Sequence, residues 1–130
     1  MHVERIEHVP GERQRTLELQ QGVTLRYLGG GRTRAVYLVE VAPHTSSAAN
    51  PHDGDELRYV ISGRVTFCVG EREIEVAAGG SVCHSCASPH GFRTGDGPAT
   101  FLTVALPRNA CDCIDLGDLA RGIPEGDGGC

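Results

Sequence analysis

Apolar and polar residues alternate in strand-length runs separated by glycines through residue 106. Residues 15–28 (RTLELQQGVTLRYL) alternate on both sides of Gln21-Gly22, which predicts a hairpin. Residues 34–42 (RAVYLVEVA) are β-branched and apolar, which predicts a strand largely buried on both faces and ended by Pro43. Residues 44–55 read as a polar connection rich in Ser, Asn, Asp and Gly. Further strands are expected over 56–62, 64–69, 72–77, 81–84, 89–93 and 99–106, with Gly63, Gly70, Gly79 and Gly80 at the turns. Short strands at such regular spacing predict an all-β sandwich or small barrel.

The same pattern sets the organisation expected of the chain. Residues 1–33 form an arm with at most one short strand, then the hairpin, within one domain; residues 34–106 form its core. Residues 107–130 form a tail in which 115–121 would make one or two helical turns and the last residues are disordered. Gly29-Gly30-Gly31 reads as a turn, because no helix pattern follows it to make a phosphate loop.

Composition narrows the function classes. A chain of 130 residues fits one domain, and its 18 glycines and 7 prolines favour turns over long helices. The formal net charge is -5 and no Lys/Arg run reads as a nucleic-acid face, so nucleic acid is not an expected partner. No apolar stretch approaches the roughly 20 residues of a membrane helix, so no membrane partner is expected either. The N-terminus lacks an apolar signal core. A cytoplasmic location is therefore expected, with the six cysteines reduced.

The candidate chemistry sits in two stretches. Residues 43–63 carry His52 and Glu56, four apart, on a polar turn that runs into a strand. Residues 79–94 add His90 after a Ser-Pro step. Two histidines and a carboxylate form a common set for a divalent transition metal that keeps open positions. Alternation along a strand puts Glu56, Arg58 and Val60 on one face, His90 and Phe92 on another shared face, and Tyr59 outside.

These stretches resemble the two motifs of the cupin family (cupin-2 type). The first motif runs Pro-Gly, His-x-His, Glu and Gly at fixed spacings, and Pro43, Asn50, His52, Glu56 and Gly63 occupy them without a gap. Gly79, Pro89, His90 and Thr94 occupy those of the second motif. The match spans residues 34–106. His44 stands at a usual glycine, Asn50 at the first histidine, Gly80 at an aspartate and Ser85 at a proline. The resemblance implies an antiparallel double-stranded β-helix, or jelly-roll barrel. It also implies metal ligands at His52, Glu56 and His90, with Asn50 able to add a weak amide oxygen. A satisfied hydrogen-bond network without metal is the alternative.

The three-ligand set points first to Fe(II), with Zn, Mn or Ni as alternatives. Arg58 either pairs with Glu56, grips an anionic ligand or reaches the barrel mouth. The leading expectation is a metal-dependent enzyme acting on a small, anionic organic molecule by oxygenase-type chemistry. His52, Glu56, His90 and Arg58 would be its site residues. The alternatives are a non-oxidative isomerase, dehydratase or cyclase using zinc or no metal, and a ligand-sensing module without catalysis. A homodimer joined through edge strands is also expected.

Cys83 and Cys86 have C-x-x-C spacing, but Cys111 and Cys113 are C-x-C and His84 intervenes. A structural zinc is therefore not the expected reading. Cys68 and Cys83 are expected to be small buried side chains. Cys86 is near enough to the His90 turn to line a pocket, with His84 or His90 the only candidate base for it. His2, His8 and His44 read as surface residues.

Overall fold

The computed structural model describes residues 4, 6–30 and 34–106. A 3-10 turn at Gly11–Arg13 precedes ten strands in this part of the chain. They are β1 (Thr16–Gln20), β2 (Val23–Gly29), β3 (Ala35–Val41), β4 (Ser46–Ala49) and β5 (Asp55–Ser62). There follow β6 (Arg64–Val69), β7 (Arg72–Ala77), β8 (Ser81–Ser85), β9 (His90–Arg93) and β10 (Ala99–Leu106). No helix among the described residues is long and apolar enough to cross a membrane. The expected tail helix and tail disorder lie outside the described residues.

Two antiparallel sheets face each other. One has the order β1-β2-β3-β10-β5-β8 and the other β4-β9-β6-β7. The hairpins are local and follow the pattern in the sequence. Gln21-Gly22 turns β1 into β2, and Gly63 turns β5 into β6 at a φ of +79°. A Cβ at Gly63 would run into the Pro98 carbonyl oxygen, so both the dihedral and the close approach require glycine. β10 joins β3 to β5 long after both in the chain, closing the larger sheet around Phe101, which lies opposite both Val39 and Val60.

The inward positions of the two sheets make one apolar core. Val23, Val39, Val41, Val60, Ala99 and Phe101 come from the larger sheet, and Val65, Phe67, Val76 and Phe92 from the smaller. Phe101 packs edge-on against Phe67 and Phe92, with ring centroids 5.2 and 5.1 Å apart. That is the offset that the ring quadrupoles favour.

Four expectations need correction. Residues 46–49 are a strand, not a loop, because they pair with β9 in register Ser46↔Arg93 to Ala49↔His90. β3 is buried on one face only, since Glu40 lies exposed beside Arg26 at 3.5 Å, as suits an antiparallel sheet with a solvent side. Cys68 and Cys83 are half-buried, and neither belongs to the core. Cys68 lies on the outer face, where its Sγ accepts from Arg93 at 3.3 Å. Cys83 is disulfide-bonded, contrary to the expectation of reduced thiols. Among the described residues the free cysteines are Cys68 and Cys86.

Candidate metal centre

Register brings the site together. Glu56 lies opposite His84 on β8 and Ala105 on β10, while Arg58 lies opposite Val82 and Thr103. Cross-strand partners share a face, so Glu56, Arg58, His84 and Thr103 all project inward. His90 opens β9 in the facing sheet, opposite Ala49 and Val69. His52 comes from the loop between β4 and β5, where its backbone N–H donates to the Cys86 carbonyl at 2.8 Å. One donor atom from each of His52, Glu56, Cys86 and His90 falls within 4.8 Å of the others.

The histidines are oriented by backbone. The Nδ1 atoms of His52, His84 and His90 lie 3.0, 3.0 and 2.8 Å from the carbonyl oxygens of Asp53, Ser85 and Ser88. A carbonyl only accepts, so each Nδ1 carries the proton and, in the neutral ring, Nε2 keeps its lone pair. The Nε2 of His90 is 3.5 Å from Glu56 Oε1, and that of His84 is 4.0 Å from it. A lone pair thus faces a carboxylate oxygen, an arrangement that a cation between them would relieve. A donor set of two imidazoles, a carboxylate and a thiol fits a divalent transition metal.

Arg58 is the second organising group. It is only 5% exposed, and its Nη2 donates to Glu56 Oε1 at 2.6 Å. Its Nη1 donates to Thr103 Oγ1 at 3.3 Å, while its Nε is buried without a partner. The guanidinium lies 5.6 and 5.7 Å from the ring centres of Phe67 and Phe101. Of the three roles open to it, pairing with Glu56 is the one the structure contains. Burial pushes the Glu56 carboxyl up, but Arg58, His90 and His84 outweigh burial and hold it below its ordinary 4.5. Burial pushes His84 down, towards neutral imidazole. Burial and then the Glu56 charge push the Cys86 thiol up to about 12.

A cavity of about 330 Å³ opens onto these groups, lined by His52, Glu56, Arg58, His90 and Thr103 at its polar end. Leu19, Leu25, Tyr37, Val39 and Phe92 make most of its apolar wall. Asn50 is exposed and does not line it. Tyr59 faces solvent, as alternation predicts. His44 is on the surface, 3.3 Å from Asp96.

Two groups gained a place that sequence reasoning had not given them. His84, considered only as a base for Cys86, sits beside Glu56; the signal was its position two residues along β8 from Val82, on the inward face. Cys86, considered as pocket lining, stands among the metal donors.

No curated protein matches the sequence. Among solved structures the chain is similar to an HTH_3 family transcriptional regulator from Vibrio cholerae, at 18% identity and a TM-score of 0.63. That match covers 67% of this chain and 52% of the regulator. It is similar to KdgF from Halomonas sp. at 10% identity and 0.69, over 83% of this chain and 99% of that one. It is also similar to hydroxypropylphosphonic acid epoxidase from S. wedmorenis at 17% identity and 0.71, over 78% and 59%. The epoxidase has also been solved as an iron(II) form, HppE. The chain thus spans about half the length of the regulator and three fifths of the epoxidase. At these identities the likeness is one of fold. The Cupin_2 model, described as the cupin domain, matches residues 37–105, over both sets of spaced residues and the strands that bring them together, and the chain belongs to the cupin family.

Proposed function

We propose that this cupin is a divalent-metal-dependent enzyme acting on a small organic molecule with an apolar body and an anionic end. The observation that carries this reading is the convergence of His52, Glu56 and His90, with both imidazoles tethered through Nδ1. In this reading those three residues hold the metal. Iron(II) is the first candidate, in keeping with the iron(II) form of the similar epoxidase. Bound there, it would supply Lewis acidity and open positions for substrate and oxygen. Arg58 holds the Glu56 carboxylate ionised and in place. With a divalent cation, one carboxylate and one guanidinium, the polar end of the cavity carries net positive charge, which favours an anionic headgroup. The apolar wall takes the rest of the molecule and excludes water.

The reading predicts that the purified protein, reconstituted with iron(II) without oxygen, retains about one metal per chain. Metal analysis checks this directly. Chelation should lower the melting temperature, and His52→Ala and His90→Ala should each cost at least about 10-fold in affinity. A wild-type protein that retains no metal and melts identically with and without chelator rejects the proposal. Oxygen uptake over a panel of small carboxylates and phosphonates then tests turnover. The likeness to a transcriptional regulator supports a second reading, a sensor that binds such a molecule without converting it. Saturable binding without turnover, under every metal, would select the sensor.

We also propose a homodimer joined along β1. This strand is an edge of its sheet, and its Leu17 and Leu19 are 58% and 49% exposed. Leu19 lines the cavity as well, so a second copy there would cover part of its mouth. Sedimentation at micromolar concentration should give twice the chain mass, and Leu17→Lys should halve it. A wild-type monomer overturns the assignment.

A further inference from the structure

The first histidine of the cupin pattern is missing here, and Asn50 stands in its place, exposed and away from the cavity wall. We propose that Cys86 is the fourth protein ligand of the metal site, a thiolate supplied from the β8–β9 bend in place of that histidine. The proposal rests on the metal reading above and adds a donor of different chemistry to it.

Three independent features place Cys86 in this role. Its Sγ is within 4.8 Å of the donor atoms of His52, Glu56 and His90, so all four can meet one ion. Its side chain is fully buried and free, whereas Cys83 on the same stretch is committed to a disulfide. Its backbone is held at both ends. The Cys86 N–H donates to the Gly54 carbonyl at 2.9 Å, and the Cys86 carbonyl accepts from the His52 N–H at 2.8 Å. Gly54 takes a φ of +102° that only glycine adopts readily, and a Cβ there would lie 3.0 Å from the Leu106 carbonyl oxygen. The two loops therefore lock together main chain to main chain. His52 and Cys86 reach the centre as one unit.

The chemistry favours sulfur over the amide. Asn50 offers a neutral, hard oxygen, while a thiolate is anionic and soft and suits iron(II), zinc and cobalt(II) better than manganese or magnesium. On coordination the thiol proton leaves to solvent. Glu56 and Cys86 then balance the charge of a divalent ion. Four protein donors complete a tetrahedral zinc shell but leave two positions on octahedral iron(II). The fourth ligand thus decides which metals leave the site open to a substrate.

Cobalt(II), added alone to the metal-free full-length protein, tests the assignment through a readout independent of activity. Wild type should develop a thiolate-to-cobalt charge-transfer band in the near ultraviolet that saturates at one equivalent. Cys86→Ser and Cys86→Ala should lose the band and bind cobalt at least about 10-fold more weakly. Cys68→Ser and Asn50→Ala should keep both band and affinity. Circular dichroism of the metal-free variants establishes that each is folded, and either of the two Cys86 variants suffices. Saturable cobalt binding by wild type without the band, or a band that survives in a folded Cys86 variant, overturns the thiolate ligand and leaves the three-ligand metal reading standing. Failure of wild type to bind cobalt overturns both.

Discussion

Glu56→Gln should lower the stability of the metal-free protein by about 3 kcal/mol, the lower end of what breaking a buried ion pair costs. It should remove tight metal binding as well. Both losses have one origin, because a single carboxylate oxygen, Glu56 Oε1, meets both Arg58 and the histidines. Glutamine keeps the shape and can still accept from Nη2, but the guanidinium loses its counter-charge while it stays buried with Nε unsatisfied. The pH dependence has a defined sign. The folded carboxyl is held below 4.5, so its contribution to stability is present above the unfolded value and is lost as pH falls through the lower folded one. Glu56→Gln should therefore flatten the acid side of the stability curve. Urea denaturation of metal-free protein across that range checks both points. An unchanged midpoint in the variant would mean that the Arg58 pair contributes nothing to the fold.

Phe101→Ala should cost about 3–5 kcal/mol, the usual range for emptying a buried aromatic site. Against the roughly 5–15 kcal/mol that holds a domain of this kind together, that is a large share. Phe101 is fully buried where the two sheets meet, edge-on to Phe67 and Phe92 and beneath the guanidinium of Arg58. Its removal takes away contacts between the layers together with one of the two rings that cradle the buried charge. Part of the loss should therefore appear at the site, as weaker metal retention in a protein that is still folded. Denaturation followed by circular dichroism measures the first effect. A loss below about 1.5 kcal/mol, typical of a well-tolerated core swap, would show that the sheets can close the gap.

What the chain declares in advance depends on how local the cause is. The hairpins β1-β2 and β5-β6-β7 were legible because alternation and the glycines at 22, 63 and 70 lie within a few residues of one another. The strand Ser46–Ala49 was not, since Ser-Ser-Ala-Ala carries no alternation and becomes a strand only by pairing with β9, more than forty residues later. Glu56 and Arg58 could be placed on one face from their spacing, but which partner Arg58 takes is settled by the inward geometry of Thr103 and the two phenylalanines. His84 was hidden between two cysteines whose spacing drew attention to sulfur. Cys83 is disulfide-bonded while Cys86, at C-x-x-C spacing from it, stays free, so spacing alone could not announce the bond. His44 is instructive the other way. It occupies a motif glycine and is the non-glycine residue at positive φ among those described, at +52°, so the backbone kept the demand that the side chain does not serve.

The Nδ1 atoms of the three histidines are all anchored to main-chain oxygens. Peptide carbonyls cannot be deleted by exchanging a side chain, so no single substitution elsewhere in the barrel strips a ring of its anchor. Related chains could diverge widely in their walls and substrates while the rings keep their aim. The same anchoring limits an engineer: the aim of the rings cannot be retuned by swapping a neighbouring carboxylate for an amide, because no carboxylate holds the Nδ1 protons. Retuning would have to come from reshaping the short peptides Asp53–Gly54 and Ser85–Pro89 themselves.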